Sequence, residues 1–177
     1  MRVVAGELRG RRLLTPSGND TRPTTDKVRQ AVFNALDSAG LVNDTVVVDL
    51  FSGSGAMGIE ALSRGARTCT FVERDRVAVE TIRANLAALG LVGRARVVLG
   101  DAAKICGQLG PVDLVIADPP YLFEAWETLL DSVSAATVVA ESDREIPAPP
   151  GWEVARSRRY GRTVITWLHR ASAESNG

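Results

Sequence analysis

The chain has 177 residues, 45% of them apolar and 24% charged, and its formal net charge is zero. That length suits a single α/β domain with little to spare, and the apolar share is enough for a packed core. No apolar run approaches a membrane span, no apolar signal region follows the Met-Arg start, and Cys69 and Cys106 form no CxxC pair. A cytoplasmic protein with two ordinary buried thiols, no metal site and no membrane contact is expected.

Residues 2–14, RVVAGELRGRRLL, place short β-prone pieces around Gly6 and Gly10 and read as a small hairpin or extended arm. A loop containing Pro16, Gly18 and Pro23 follows. Val28, Ala31, Val32, Ala35, Leu36 and Ala39 recur at helical spacing, with Thr24 or Thr25 as cap, Asp26 in the first turn and Gly40 as stop. From residue 45 a βα alternation starts. Strands are expected over 45–51, 67–73, 95–99, 112–117 and 136–141, and helices over 56–64, about 76–89 and 123–133. After the Pro-rich stretch 146–151, two β-prone runs flank Arg159–Gly161 as an antiparallel hairpin. The expected fold is a Rossmann-like α/β domain over residues 24–170. Its seven-stranded, mostly parallel sheet ends in an antiparallel hairpin; an arm precedes it at 1–23 and a disordered tail follows at 171–177.

Charge is unevenly spread. Residues 1–40 carry seven Lys/Arg against four Asp/Glu, residues 41–150 nine against fifteen, and residues 151–170 five against one. Two basic ends that met in space would give a polyanion-binding surface. A compositional preference for Arg, which supplies 19 of the 21 basic residues, does not account for this segregation.

Ligands of such sheets bind beyond the carboxyl ends of the strands. After the first strand, Gly53, Gly55 and Gly58 match GxGxxG, a weak signal by itself. Glu73, at the end of the second strand, is placed to accept both hydroxyls of a ribose, and Asp101, after the third, to accept from an adenine amine. A dinucleotide and S-adenosylmethionine both fit that pattern. Asp49 just before the loop would oppose a pyrophosphate and welcome the cationic end of S-adenosylmethionine, so the latter is preferred.

The fourth strand runs into Asp118-Pro119-Pro120-Tyr121. The exocyclic nitrogen of a base is a poor nucleophile because its lone pair is delocalised into the ring. Two acceptors, the Asp118 carboxylate and the carbonyl of residue 119, would turn that lone pair toward an incoming methyl. Both prolines lack N–H groups and stiffen the loop before substrate arrives. Tyr121 can stack on the base, and Phe123 and Trp126 follow within six positions.

These segments, RVVAGELRGRRL, TRPTTDKVRQAVFNAL, DLFSGSGAMGIEALSRGA, FVERD and DPPY, resemble the bacterial RsmD family, the guanine-N2 methyltransferases of 16S ribosomal RNA. The resemblance covers most of residues 2–121 and implies a class I methyltransferase fold. It implies that Phe51, Ser52, Gly53, Ser54, Gly55, Glu73 and Asp101 bind S-adenosylmethionine, with Arg74 and Ala102 in the same site and Arg22, Pro23 and Thr24 closing over it. Asp118 to Tyr121 would then hold a guanine of 16S rRNA within the small subunit or its assembly intermediate, and the enzyme would act as a monomer. Arg9, Arg11 and Arg12 are expected to contact phosphates. The Asp of DPPY does not itself separate guanine N2 from adenine N6 or cytosine N4. A DNA adenine-N6 methyltransferase and a non-catalytic RNA-binding assembly factor are the rivals. The first has little sequence here for reading a DNA site, and the second would not need the intact motif set.

Overall fold

A computed structural model of the chain describes residues 1–16 and 25–171. The expectations resting on Arg22, Pro23 and Thr24, and on the tail from residue 172, lie outside the described residues.

In chain order the elements are α1 (Asp26–Ser38), β1 (Val46–Leu50), α2 (Ala56–Ser63), β2 (Thr68–Glu73), α3 (Arg76–Leu89), β3 (Ala95–Leu99) and α4 (Ala102–Ile105). There follow β4 (Val112–Ala117), α5 (Trp126–Ser132), β5 (Ala135–Ser142), β6 (Trp152–Tyr160) and β7 (Thr163–Arg170). Seven strands form one sheet in the order β3-β2-β1-β4-β5-β7-β6. The first five are parallel, and β7 runs antiparallel between β5 and β6. This is the class I methyltransferase architecture.

The central strands are buried on both faces, which is why they read as continuous apolar runs. One face packs Val47, Leu114, Ile116, Val139, Ile165 and Trp167 against α1, α2 and α3. The other packs Val48, Leu50, Val115 and Val138 against α5. Thr25 caps α1 by accepting from the Val28 N–H. Among the described residues no helix is long and apolar enough to cross a membrane.

Three local expectations change. Residues 102–105 form a short helix capped by Asp101, where none was expected. The helix expected at 123–133 begins only at Trp126, because a turn closes from the Phe123 N–H to the Pro120 carbonyl and sets the Phe123 ring edge-on to Phe51, with 5.3 Å between centroids. The hairpin turn lies at Gly161–Arg162 rather than 159–161, since Tyr160 still pairs with Thr163. Gly161 takes the positive φ (62°) that a two-residue loop needs.

The N-terminal arm is a narrow hairpin laid along α2. Val3 and Leu13 enter the core, and Arg2 bridges Arg12. Glu60, wholly buried in α2, accepts the N–H groups of Val4 (2.8 Å) and Ala5 (3.0 Å). Ser63 accepts the Glu7 and Leu8 N–H groups. Gly6 lies so close to Ser63 that a Cβ there would sit 1.9 Å from its carbonyl oxygen. From α1, Arg29 reaches the same place with no solvent exposure. It donates to the Arg2 carbonyl and pairs with Asp26 (2.8 Å) and Glu60 (3.6 Å). The arm is thus stapled to the domain by buried charge.

Candidate functional site

The sheet order reverses between β1 and β4, so the turns leaving these two strands face each other across the switch point. Residues 51–55 leave β1 and Asp118–Tyr121 leave β4. Glu73 ends β2 beside them, and Asp101 follows β3.

The glycine turn is held from below and from the side. Phe51 and Gly53 both take positive φ, 59° and 54°. Ser52 is buried, and its hydroxyl donates to the carbonyls of Asp49 and Val72. Gly53 donates its N–H to Glu73 Oε2 at 2.8 Å. Glu73 Oε1 accepts the N–H groups of Arg74 (2.8 Å) and Asp75 (2.9 Å). Three backbone donors therefore fix the Glu73 carboxylate at the mouth of the turn. The three glycines serve different ends. A Cβ on Gly53 would meet nothing within 4 Å, so that position borders open space. Gly55 caps α2 in a left-handed conformation. Gly58 presses on the sheet: a Cβ there would lie 2.4 Å from the Phe71 ring and 2.7 Å from Cys69 Sγ.

Asp49 sits deeper than its place in the sequence implied. It is 2% exposed, and its Oδ2 accepts the Gly58 N–H at 2.9 Å. Burial pushes its carboxyl well above the usual Asp range. The Gly58 bond pulls the other way, and the nearby charges of Asp118 and Glu73 add to the rise. Three carboxylates thus surround the turn, and residues 51–55 contain no basic side chain to hold a pyrophosphate. That donor set fits a ligand with a cationic amino-acid end and a ribose, as S-adenosylmethionine has, better than it fits a dinucleotide.

Asp101 spends Oδ1 on capping α4 through the Ala103 N–H (3.1 Å). Ala102 is buried against the core, so its backbone alone can face a ligand. In the loop after β4, Tyr121 is 38% exposed and its neighbour Leu122 is 92% exposed. Trp126 lies in the core, where its ring meets the edge of Phe123 at 5.1 Å. Sequence patterning gave no sign of Leu122 as a feature of this loop. Cys69 and Cys106 are buried and their thiols are pushed up by desolvation, so neither is a ready thiolate nucleophile. Among the described residues no cluster of His, Cys, Asp or Glu could hold a metal ion.

Arg9, Arg11 and Arg12 are exposed and spread along the arm, whose open end reaches the glycine turn: Ser54 Oγ donates to Met1 Sδ (3.8 Å), and Asn85 Nδ2 donates to the carbonyls of Leu14 (3.0 Å) and Ser54 (3.1 Å). The arm passes Ser63 at the end of α2, and Arg11 donates to the Ala88 carbonyl near the end of α3. Those helix ends belong to the amino edge of the sheet, so the arm runs between the two edges, with Arg9 at the tip toward the amino edge and Arg12, which bridges Arg2 next to Met1, toward the glycine turn.

The family described as Conserved hypothetical protein 95 matches residues 1–169. The chain belongs to that family, the RsmD family. It is 37% identical over 188 residues to ribosomal RNA small subunit methyltransferase D of Escherichia coli K12, covering 99% of this chain and 93% of that one. Its identity to the Bacillus subtilis protein YlbH is also 37%, over 93% of this chain and 96% of that one. The solved structure of the Escherichia coli protein yhhF superposes with a TM-score of 0.84 at 37% identity, covering 96% of this chain and 97% of the other.

Proposed function

We propose that this RsmD-family chain transfers a methyl group from S-adenosylmethionine to the exocyclic N2 of one guanine in the 16S rRNA of the small ribosomal subunit. The observation that carries the reading is the facing of two turns: the glycine turn with its fixed Glu73, and Asp118–Tyr121 across the switch point. The Escherichia coli relative, named for small-subunit rRNA methylation, supports the choice of substrate.

In this proposal the turn 51–55 takes the amino-acid end of the cofactor, whose cationic ammonium would draw the buried Asp49 carboxyl beneath it into its charged form. Glu73 accepts from the ribose hydroxyls, and the second oxygen of Asp101 accepts from the adenine amine. Bound there, S-adenosylmethionine supplies an electrophilic methyl on a sulfonium. Asp118 and the Pro119 carbonyl accept the two N–H groups of the guanine amine and aim its lone pair. Pro120 offers no competing donor, and Tyr121 stacks on the base. Neither thiol takes part, so the amine nitrogen displaces the methyl directly, without a covalent enzyme intermediate; the sulfonium sulfur leaves as a neutral thioether and the amine gives up one proton to solvent.

The test is methyl transfer from labelled cofactor to small subunits that lack the modification, followed by nucleoside analysis. N2-methylguanine supports the proposal; N6-methyladenine contradicts the substrate.

A further inference from the structure

The tip of the basic arm points away from the target edge, and a second set of arginines lies on that edge. Residues 151–170 carry five basic residues against one acidic one. Strand β6 is the sheet edge, and its residues 153–159 are all exposed. Register fixes their height. Ala117 pairs with Ala140 on β5, and the next β5 residue, Glu141, pairs with Ile165, which pairs with Arg158. Arg158 is therefore level with Asp118, the residue that follows Ala117. Arg159 is one residue further toward the ligand side, and Arg162 lies in the loop at the tip. Strand β6 is three interstrand spacings from β4, about 14 Å. That lateral reach spans a few nucleotides of an RNA strand whose base enters at Asp118.

The side chains are disposed for contact. Arg158 and Arg159 project from opposite faces of the strand, and Arg162 extends from the turn. Arg158 lies over the Tyr160 ring at 5.4 Å, which holds the guanidinium without neutralising it. Arg29, Arg64, Arg67, Arg83 and Arg94 each pair with a carboxylate. Among the described residues Arg158, Arg159 and Arg162 form no such ion pair.

We propose that the tip of the β6–β7 hairpin, through Arg158, Arg159 and Arg162, grips the RNA phosphates flanking the target nucleotide. This rests on the reading of the chain as an RNA methyltransferase. It gives the C-terminal hairpin the task of registering the strand over Asp118, with sequence-independent contacts that position rather than specify.

The test compares full-length wild type with Arg158→Ala/Arg159→Ala/Arg162→Ala, using unmethylated small ribosomal subunits as probe over a range of salt. A control, Arg67→Ala/Arg83→Ala/Arg96→Ala, removes the same charge from exposed positions elsewhere. The hairpin variant is expected to bind roughly tenfold or more weakly, with the log–log salt slope reduced by about two, as for three lost single-strand phosphate contacts. Its S-adenosylmethionine affinity and melting temperature stay at the wild-type values, and the control binds subunits nearly as wild type does. Equal affinity and slope in wild type and hairpin variant overturn the proposal. So does unchanged RNA affinity with new self-association, which would make these arginines guards of an open sheet edge. Wild type that does not bind subunits at all overturns the methyltransferase reading and this proposal with it.

Discussion

The carboxylate of Glu73 accepts the backbone N–H of Gly53 at 2.8 Å, joining the end of β2 to the turn after β1. The same carboxylate holds the Arg74 and Asp75 N–H groups, so one side chain sets the shape of the glycine turn and presents charge to a ligand. Glu73→Ala removes charge-assisted bonds worth roughly 1.5–3 kcal/mol each. S-adenosylmethionine affinity, measured by calorimetry, is expected to fall tenfold or more while subunit binding stays near normal. Glu73→Gln keeps an acceptor and should lose less. Unchanged affinity in the Ala variant would move the ribose contact elsewhere.

Asp49 gives a prediction in pH. Its carboxyl titrates well above its unfolded value because it is buried. Above about pH 4, the ordinary Asp range, the folded chain therefore holds more protons at this group than the unfolded chain does. Its contribution to stability falls as pH rises from there and levels off above the folded value. Asp49→Asn keeps an oxygen for the Gly58 N–H and carries no buried charge. Its melting temperature is expected to exceed that of wild type at pH 7 and to converge on it near pH 4, while cofactor affinity falls. A variant less stable than wild type at pH 7 would contradict the burial argument.

The staple under the arm should dominate stability. Arg29 and Glu60 are both fully buried, and Glu60 also receives Arg64 Nε at 2.8 Å. Removing one partner strands buried charge, so Glu60→Ala is expected to cost about 3–5 kcal/mol in chemical denaturation. Glu7→Ala breaks the exposed pair with Arg94 and should cost at most about 1 kcal/mol. Similar losses in the two variants would show that the arm is not anchored through Glu60.

For the arm itself, Arg9→Ala/Arg11→Ala/Arg12→Ala is expected to weaken subunit binding and flatten its salt dependence without changing cofactor affinity. Because phosphate contacts position the substrate without touching the reacting atoms, single-turnover methyl transfer at saturating subunit should stay near wild type. An unaltered salt slope would reduce the arm to a structural hairpin.

Much of this was legible in the sequence. The βα alternation fixes the parallel strands, and the positions of Gly53, Glu73, Asp101 and Asp118 at strand ends follow from it. What stayed hidden depends on the third dimension. Asp49 lies in a strand buried on both faces, where alternation does not say which way a side chain points. The pairing of Arg29 with Glu60 joins residues 31 positions apart on two packed helices, and no local pattern announces it. The late start of α5 comes from Phe123 packing on Phe51, a contact between two loops. The run of arginines in β6 was visible as charge. Its height beside Asp118 needed the register of three strand pairs.

Asp118 carries the proposed chemistry by aiming a guanine amine at a methyl donor. The most direct measurement is single-turnover methyl transfer into unmodified small subunits by wild type, Asp118→Ala and Asp118→Asn, with nucleoside analysis of the product. Wild type is expected to yield N2-methylguanine. Asp118→Ala should turn over roughly 10²–10³-fold more slowly at near-normal cofactor affinity, by analogy with loss of one preorganised group at a reacting centre. Asp118→Asn, which keeps an acceptor oxygen, should retain part of the activity. Near-normal turnover in Asp118→Ala would contradict the account.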